Sequence, residues 1–477
     1  MMDRTAALQA MFNPRRVAHV GASESGLYPA GIFASLAASR VQVFPVNPNR
    51  PSVFGHPCFK SIRDLPSVPD LAMITVDRLH VRSVLSDCVE AGIPAAVVIS
   101  SGFAEAGQDG AAFQKELEAF AGTLLILGPN CAGFANLPEG VVATRFAGSG
   151  GVGGISFVSQ SGALMMALHG SFAARGAGLR YLVSVGNQVD VGAEEVLAFF
   201  AADSGTTVAT AFLESIKDGR AFIRALELNL AAGKPVVLVK AGRTAVGSEL
   251  AATHTAAAAG EAKVFEAVCR QYGAILVDDI DDLVSTALLA DHCGKGLSRR
   301  IAWITQSGGL GSLLGDHASA AGLPPPPFSE ALRIRLRSGK LLPAWQAILN
   351  PVDLRGEAMR GAAIRDALLP FMEAGEIDCI GLLFAKSPFR PIEAETARTI
   401  IEARDESGKP VIVVWVGNTP AVYVDDPQAT SAVALLLTAG IPVFYQAGDA
   451  IGAIARLVRW REDRGAEGWG GVDAHLS

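Results

Sequence analysis

The chain has 477 residues, 50% hydrophobic and 18% charged, with a formal net charge of −7 at neutral pH. That length exceeds one ordinary core and calls for about three domains of ~150 residues each. An acidic balance argues against nucleic acid as the main partner, because a phosphate backbone needs a basic face.

No apolar run approaches the ~18 residues of a membrane span, so none is expected. The start, "MMDRTAALQAMFNPRRV", has an early acid and no long apolar stretch, and it does not read as a secretory signal. Six cysteines, Cys58, Cys88, Cys131, Cys269, Cys293 and Cys379, lie scattered without Cys-x-x-Cys spacing. Neither a zinc site nor a disulfide framework is expected, and no metal site is assigned. A reducing cytoplasm is the expected location.

In chain order, a short apolar strand, Val17 to Val20, runs into the turn "GASESG" and a helix beginning near Ala30. The strands "VQVFPVNPN", "DLAMITVD", "AAVVISSGF" and "TLLILGPNC" follow, separated by helical patterns such as "HVRSVLSDCVEAG" and "GAAFQKELEAFAG". Apolar runs of about five residues alternating with helices predict βαβ crossovers and a parallel sheet. Ligands of such sheets sit at the carboxyl ends of the strands. Gly21, Ser23, Asn47, Ser100, Ser101 and Asn130 fall there, as binding groups or as residues that merely make tight turns.

After a glycine-rich hinge at 148–154, a second unit reads "ISFVSQSGALMMALHGSFAARG", "RYLVSVGNQVD", "TVATAFLESIKDG" and "KPVVLVKAGRT". A third begins near Arg299 with "RRIAWITQSGGLGSLLGDHASAAG" and continues through "DCIGLLFAKS", "KPVIVVWVGN" and "IPVFYQAGDAIGAIARLVRW". The spans expected are 1–145, 146–297 and 298–462, with a polar, disordered tail over 463–477.

The second and third units share a repeat: a strand, then Ser/Thr-Gln-Ser-Gly, then an apolar helix. The helices start at Gly162 and Gly308, preceded by Ser161 and Ser307. Unsatisfied N–H groups and the helix dipole make each tip an anion site, and a plain capping motif is the alternative. Two copies point to two helix ends aimed at one phosphate. Against that cradle, His254 in "ELAATHTAAAAG" reads as a phosphoryl carrier on a small, flexible loop, since imidazole is a good nucleophile near neutral pH. Such a histidine needs a carboxylate on its other nitrogen, and Glu214 in "FLES" is the candidate; a strand-end surface acid is the bland reading.

"VGAS", "PVNPN", "ISSGFAEAG", "LGPNCAGFAN", "SQSGAL", "SVGNQVDV", "FLES", "AGRT", "THT", "TQSGGLG" and "NPVDL" occur in this order. By them the chain, over about residues 12–460, resembles the NDP-forming acyl-CoA synthetases. The likeness is to the alpha subunits of the ADP-forming acetyl-CoA synthetase type and, more distantly, of succinyl-CoA synthetase. The resemblance implies a Rossmann-like CoA-binding domain followed by two flavodoxin-like parallel α/β domains. It implies His254 as the phosphohistidine, Glu214 as its orienting carboxylate, and Ser161, Gly162, Ser307 and Gly308 at the phosphate-binding helix ends. Gly21, Ser23, Asn47, Ile99, Ser100 and Ser101 would hold CoA, Arg50 would meet a CoA phosphate, and Asn130 and Cys131 would lie near the thiol end. Cys131 is expected to be a packed residue and not a nucleophile.

Two departures stand out. Ala256 replaces the family's glycine after the histidine pair "HT", and no ATP-grasp unit follows the third domain. ATP-Mg is therefore expected in a separate ATP-grasp beta subunit, with CoA and a small carboxylic acid handled here. Three other readings compete. One is a dinucleotide oxidoreductase, disfavoured because "GASESG" is not a clean Gly-x-Gly-x-x-Gly and "PVNPN" lacks the ribose-binding acid. The others are a non-catalytic CoA sensor and an acyl- or carbamoyl-transferring relative without a nucleotide site.

Overall fold

Short runs of valine, isoleucine, leucine and alanine become fully buried parallel strands, as expected where helices cover both faces of a sheet. The computed structural model describes residues 4–145, 151–255, 262–294, 296–339, 342–354, 358–385, 394–417 and 427–466. The chain divides into two compact units, Met1–Ala173 with Gly178–Leu283, and Ala174–Ala177 with Val284–Ser477.

The first unit contains two of the large sheets. One has the spatial order Gln42–Val46, Arg16–Val20, Leu71–Ile74, Ala95–Val98, Leu125–Leu127, all parallel. Strand order reverses beside Arg16–Val20, and that reversal opens the crevice in which open α/β sheets bind ligands. The other runs Ala274–Val277, Val236–Lys240, Val208–Leu213, Val152–Ser159, Leu179–Ser184, and then an antiparallel hairpin, Phe134–Asn136 with Val141–Ala143. The hairpin thus joins the second sheet, although it precedes residue 146, where the second unit was expected to begin. It is held there by antiparallel pairing with Leu179–Ser184, Phe134 opposite Val183, and Phe134 also meets Phe12 at 5.0 Å between ring centroids.

The expected hinge at 148–154 is also corrected, because a strand already begins at Val152. Gly153 sits so close to Gly178 that a Cβ would lie 2.5 Å from its Cα. The glycines therefore serve strand contact there, and 148–150 lie outside the described residues.

A helix not anticipated from the sequence, Arg4–Phe12, buries Leu8, Met11 and Phe12. Arg4 ties it down through ion pairs with Asp190 at 2.9 Å and Glu195 at 2.8 Å.

The second unit carries a five-stranded parallel sheet, Val352–Asp353, Ile301–Thr305, Cys379–Ala385, Val411–Val416, Val443–Phe444. Its final helix, Ala447–Ala466, runs past 463, where a disordered tail was expected. Arg299 pairs with Glu462 at 2.5 Å, and the Arg464 guanidinium lies 4.6 Å over the Trp460 ring. These contacts hold the polar turn helical. Residues 467–477 lie outside the described residues. Among the described residues no helix is long and apolar enough to cross a membrane.

One buried group gives the fold a pH dependence. His19 is fully buried on the first strand, and its Nε2 meets Thr75 Oγ1 at 3.0 Å. Burial pulls its pKa down to about 3. The unfolded chain takes up a proton near pH 6.5 that the folded chain refuses. The neutral ring's stability is thus present above that value and lost as pH falls, at about 1.4 kcal/mol per pH unit. Denaturant melts between pH 7 and 5 should show a steeper loss in the unaltered chain than in His19→Leu. Equal slopes would remove His19 as the cause.

Candidate functional site

At the carboxyl edge of the first sheet, Gly21 bends the chain out of its strand with φ 89°, and its N–H donates to Val46 O at 2.9 Å. A Cβ here would meet the Thr75 main chain at 3.0 Å, so the turn requires glycine. The neighbouring loop is knit by polar side chains. Asn47 Nδ2 donates to Ala22 O at 2.9 Å, Ser23 Oγ lies 3.0 Å from Ser25 Oγ, and Arg50 reaches Ser25 Oγ at 3.4 Å. Ser23, Asn47 and Arg50 are therefore brought to one crevice edge, with a cation among neutral hydroxyls.

On the next two strands, Ile99 is buried and Ser100 Oγ donates to Val76 O at 2.6 Å, while Ser101 is exposed. Asn130 takes a left-handed φ of 56°, and its N–H donates to Ser100 O at 2.9 Å. Its side chain continues into a network that sequence reasoning missed. Asn130 Nδ2 donates to Asn187 Oδ1 at 3.2 Å, and Asn187 Nδ2 donates to Glu105 Oε2 at 2.6 Å. The "SSGFAEAG", "GPNC" and "SVGNQ" loops are thereby fastened to one another. Cys131 is buried, donates to Val98 O at 3.4 Å, and burial pushes its thiol up to about 12. A thiol so held stays protonated, as befits a packed residue.

The two repeat turns fold alike. Ser161 N donates to Ser159 Oγ and Ser307 N donates to Thr305 Oγ1, each at 3.1 Å. Helices Gly162–Ala174 and Gly308–Ala320 start at these turns. They differ at the cap. Ser161 Oγ accepts from Leu164 N at 3.3 Å, so its hydroxyl caps its own helix, whereas Ser307 makes no such bond. A Cβ on Gly162 would lie 2.9 Å from the Ala132 methyl, and one on Gly308 would lie 3.5 Å from Asp353 Oδ2. Only the first tip requires glycine, and a carboxylate from "NPVDL" already lies beside the second, where the helix dipole favours it.

Glu214 is no surface acid. It follows strand Val208–Leu213 and is buried to 7% exposure. Its N–H donates to Gln160 Oε1, and its carbonyl accepts from Lys240 Nζ at 2.8 Å. Burial pulls the Lys240 ammonium down, and the Glu214 carboxylate opposes that fall.

His254 lies in a helix, Ala245–Thr255, where a flexible loop was expected. The correction has a plain cause: alanine has the highest helix propensity, three of these eleven residues are alanine, and Glu249 and Leu250 are good helix formers as well. Thr244 starts the helix, with its Oγ1 accepting from Gly247 N at 3.1 Å. The helix runs beside the turn Ala104–Ala106 of the "SSGFAEAG" loop. The His254 side chain and Ala256 lie outside the described residues. Among the described residues no group of three or more His, Cys, Asp or Glu side chains is placed to hold a metal.

Against known proteins, the family description "CoA binding domain" matches residues 15–136, and "succinyl-CoA ligase like flavodoxin domain" matches 152–290. The alpha subunit of acetate–CoA ligase (ADP-forming) II of Pyrococcus furiosus is 32% identical over 473 residues, spanning 98% of this chain and 100% of that one. The chain belongs to the ADP-forming acetate–CoA ligase family. It carries a Rossmann-like CoA-binding domain followed by a flavodoxin-like domain. The ADP-forming acetate–CoA ligase I of Archaeoglobus fulgidus is 31% identical over 95% of this chain, which covers 64% of that longer protein. Among solved structures, a dinucleotide forming acetyl-coenzyme A synthetase 1 from Candidatus Korarchaeum cryptofilum, in complex with phosphate and ADP, is 29% identical. It superposes with a TM-score of 0.87 over 97% of this chain and 99% of that one.

Proposed function

We infer that this chain is the CoA- and phosphohistidine-bearing half of an ADP-forming acyl-CoA synthetase: acid + CoA + ATP ⇌ acyl-CoA + ADP + phosphate. The observation that carries the reading is the buried acid turn at Glu214, set at a strand end beside the Ser161–Gly162 helix tip and followed in sequence by the His254 helix. CoA lies along Gly21, Ser23, Asn47, Ile99, Ser100, Ser101 and Asn130, with Arg50 on one of its phosphates.

In the forward direction the substrate carboxylate oxygen attacks the phosphorus of phospho-His254. The N–P bond breaks with its electron pair returning to the imidazole, and an acyl phosphate forms. The CoA thiolate then attacks the acyl carbon, the C–O bond to phosphate breaks, and phosphate leaves. The N–H groups at the Ser161–Gly162 tip hold the phosphoryl oxygens through these steps. That role is positioning and electrostatic stabilisation of charge. His254 is recharged by ATP-Mg on a separate ATP-grasp polypeptide; the Pyrococcus furiosus relative, matched over its whole length, is named as an alpha subunit, which supports such a division. Acetate is the first acid to test, because it names the relatives.

The decisive experiment is acetyl-CoA formation from acetate, CoA and ATP by the chain with and without its ATP-grasp partner. Activity is expected only with both, and a partner that is active alone would overturn the assignment. Arg50→Ala is expected to raise the KM for CoA about tenfold with kcat little changed, the scale of one charge-assisted hydrogen bond. An unchanged KM would take Arg50 out of the CoA site.

A further inference from the structure

Two buried polar side chains, Gln160 and Lys240, have no part in the chemistry just described, yet both grip the same stretch of main chain. Strands Val152–Ser159 and Val236–Lys240 flank Val208–Leu213 on its two sides, and Glu214–Ser215 leaves the middle strand between them. From one side Gln160, 7% exposed, accepts through Oε1 from the N–H groups of Glu214 and Ser215, the latter at 2.9 Å. Its Nε2 donates to Ser215 O at 2.6 Å. From the other side Lys240, 8% exposed, donates through Nζ to Glu214 O at 2.8 Å and to Ala241 O at 2.5 Å. Its ammonium also lies 5.9 Å from the Phe265 ring centroid.

The cost of this arrangement argues that it has a use. Desolvating an ammonium is expensive, and a strand end could satisfy the same carbonyls with water. The other repeat turn supplies a comparison within the molecule. Gln306 also crosses to the adjacent strand end, donating from Nε2 to Ala385 O at 3.0 Å. The glutamine's reach therefore belongs to the Ser/Thr-Gln-Ser-Gly turn itself. What the first copy adds is the second hold through Oε1, the opposing lysine, and an acid at the point gripped. Ala241 opens the segment that leads to the His254 helix, so Lys240 fastens the root of that segment to the turn carrying Glu214.

We propose that Gln160 and Lys240 are positioning residues: together they fix the Glu214–Ser215 turn so that its carboxylate selects which ring nitrogen of His254 takes the phosphoryl group. The proposal rests on the phosphohistidine reading above and deepens it. A carboxylate that hydrogen-bonds one imidazole N–H leaves the lone pair on the other nitrogen, and phosphorylation then gives a single ring isomer. A carboxylate displaced by an ångström loses both the rate and that selection.

The test uses the full chain, acetyl-CoA and [32P]phosphate. Phosphate displaces CoA from the acetyl carbon, and the imidazole then takes the phosphoryl group from acetyl phosphate and releases acetate. The ring isomer is read by 31P NMR of the alkali-denatured protein. Gln160→Leu and Lys240→Met are expected to slow labelling about ten- to a hundredfold. Both should yield a mixture of the two phosphohistidine isomers where the unaltered chain gives one. Lys240→Arg, which keeps the cation and its donors, is expected to restore the single isomer. CoA affinity is expected to stay near that of the unaltered chain, because neither side chain lies in the CoA set, whereas melting temperature is expected to fall modestly as the buried Glu214 and Ser215 main-chain groups lose their partners.

A single isomer formed at the unaltered rate in both variants overturns the inference alone. So does slow labelling that keeps a single isomer and follows a loss of melting temperature, since that is a packing defect only. Absence of label in the unaltered chain overturns the phosphohistidine assignment itself, and the inference with it.

Discussion

His254→Ala is expected to abolish phosphorylation of the chain and net acyl-CoA synthesis with its partner. Two donors give the test independence: acetyl-CoA with [32P]phosphate on this chain alone, and [γ-32P]ATP in the presence of the ATP-grasp polypeptide. In both arms the unaltered chain should carry label that is labile in acid and stable in base, as a phosphoramidate is. The variant should carry none, and coupled turnover should fall at least ~10³-fold, the scale of losing a covalent nucleophile. CoA affinity should not change, since the residues proposed to hold CoA lie at the strand ends of the first sheet. Label persisting in His254→Ala would place the carrier elsewhere and remove the reason for Glu214's assignment as well. The helix that carries His254 lies beside the turn Ala104–Ala106, next in sequence to Ser100 and Ser101. A CoA held on those serines would therefore lie close to the element that bears the carrier.

The strands were legible because their chemistry is monotonous. Residues 71–74, 95–98 and 236–240 are buried at every position, and a buried parallel strand has no polar face to obscure it. The repeat turns were legible because strand, cap and glycine come in one short local string. Where the sequence misled, the deciding contacts were distant or the local signal was ambiguous. The hairpin Phe134–Asn136 with Val141–Ala143 could belong to either sheet until Tyr181, Leu182 and Val183 claimed it. The run around His254 has small side chains and no apolar stripe, and periodicity alone reads that as a loop; alanine's backbone preference makes it a helix. The Arg4–Phe12 helix did carry a signal, Leu8, Met11 and Phe12 at helical spacing, short enough to pass for a ragged terminus.

The site followed the same division. Glu214 and the two helix tips stood out as residue types in place, whereas their supports did not. Gln160 lies 55 positions from Ser215, and Lys240 lies 26 from Glu214. A lysine closing an apolar strand reads as a residue reaching for water, and only the fold shows it turned to two carbonyls. The glutamine common to both repeat copies was the one available hint, because a plain helix cap needs no glutamine before its serine.

Glu214→Gln separates the charge of that site from its shape. The substitution is isosteric, and the bonds from Gln160 and Lys240 hold the Glu214 main chain, so the turn should keep its place. What is lost is the negative charge, and with it the preference for one imidazole tautomer and the stabilisation of the cation that forms as His254 is displaced or charged. The labelling rate is expected to fall about 10²- to 10⁴-fold, as when an orienting carboxylate in a hydrolase triad becomes an amide. The KM for CoA and the melting temperature should stay near those of the unaltered chain. Glu214→Gln also tests the clamp from the opposite direction. Removing Gln160 or Lys240 leaves the carboxylate present and misplaced, so its effect should be smaller and should show as mixed isomers. Removing the charge in place should give the larger loss. Labelling within twofold of the unaltered rate in Glu214→Gln would mean that the buried acid serves packing, and that the histidine is oriented by another group.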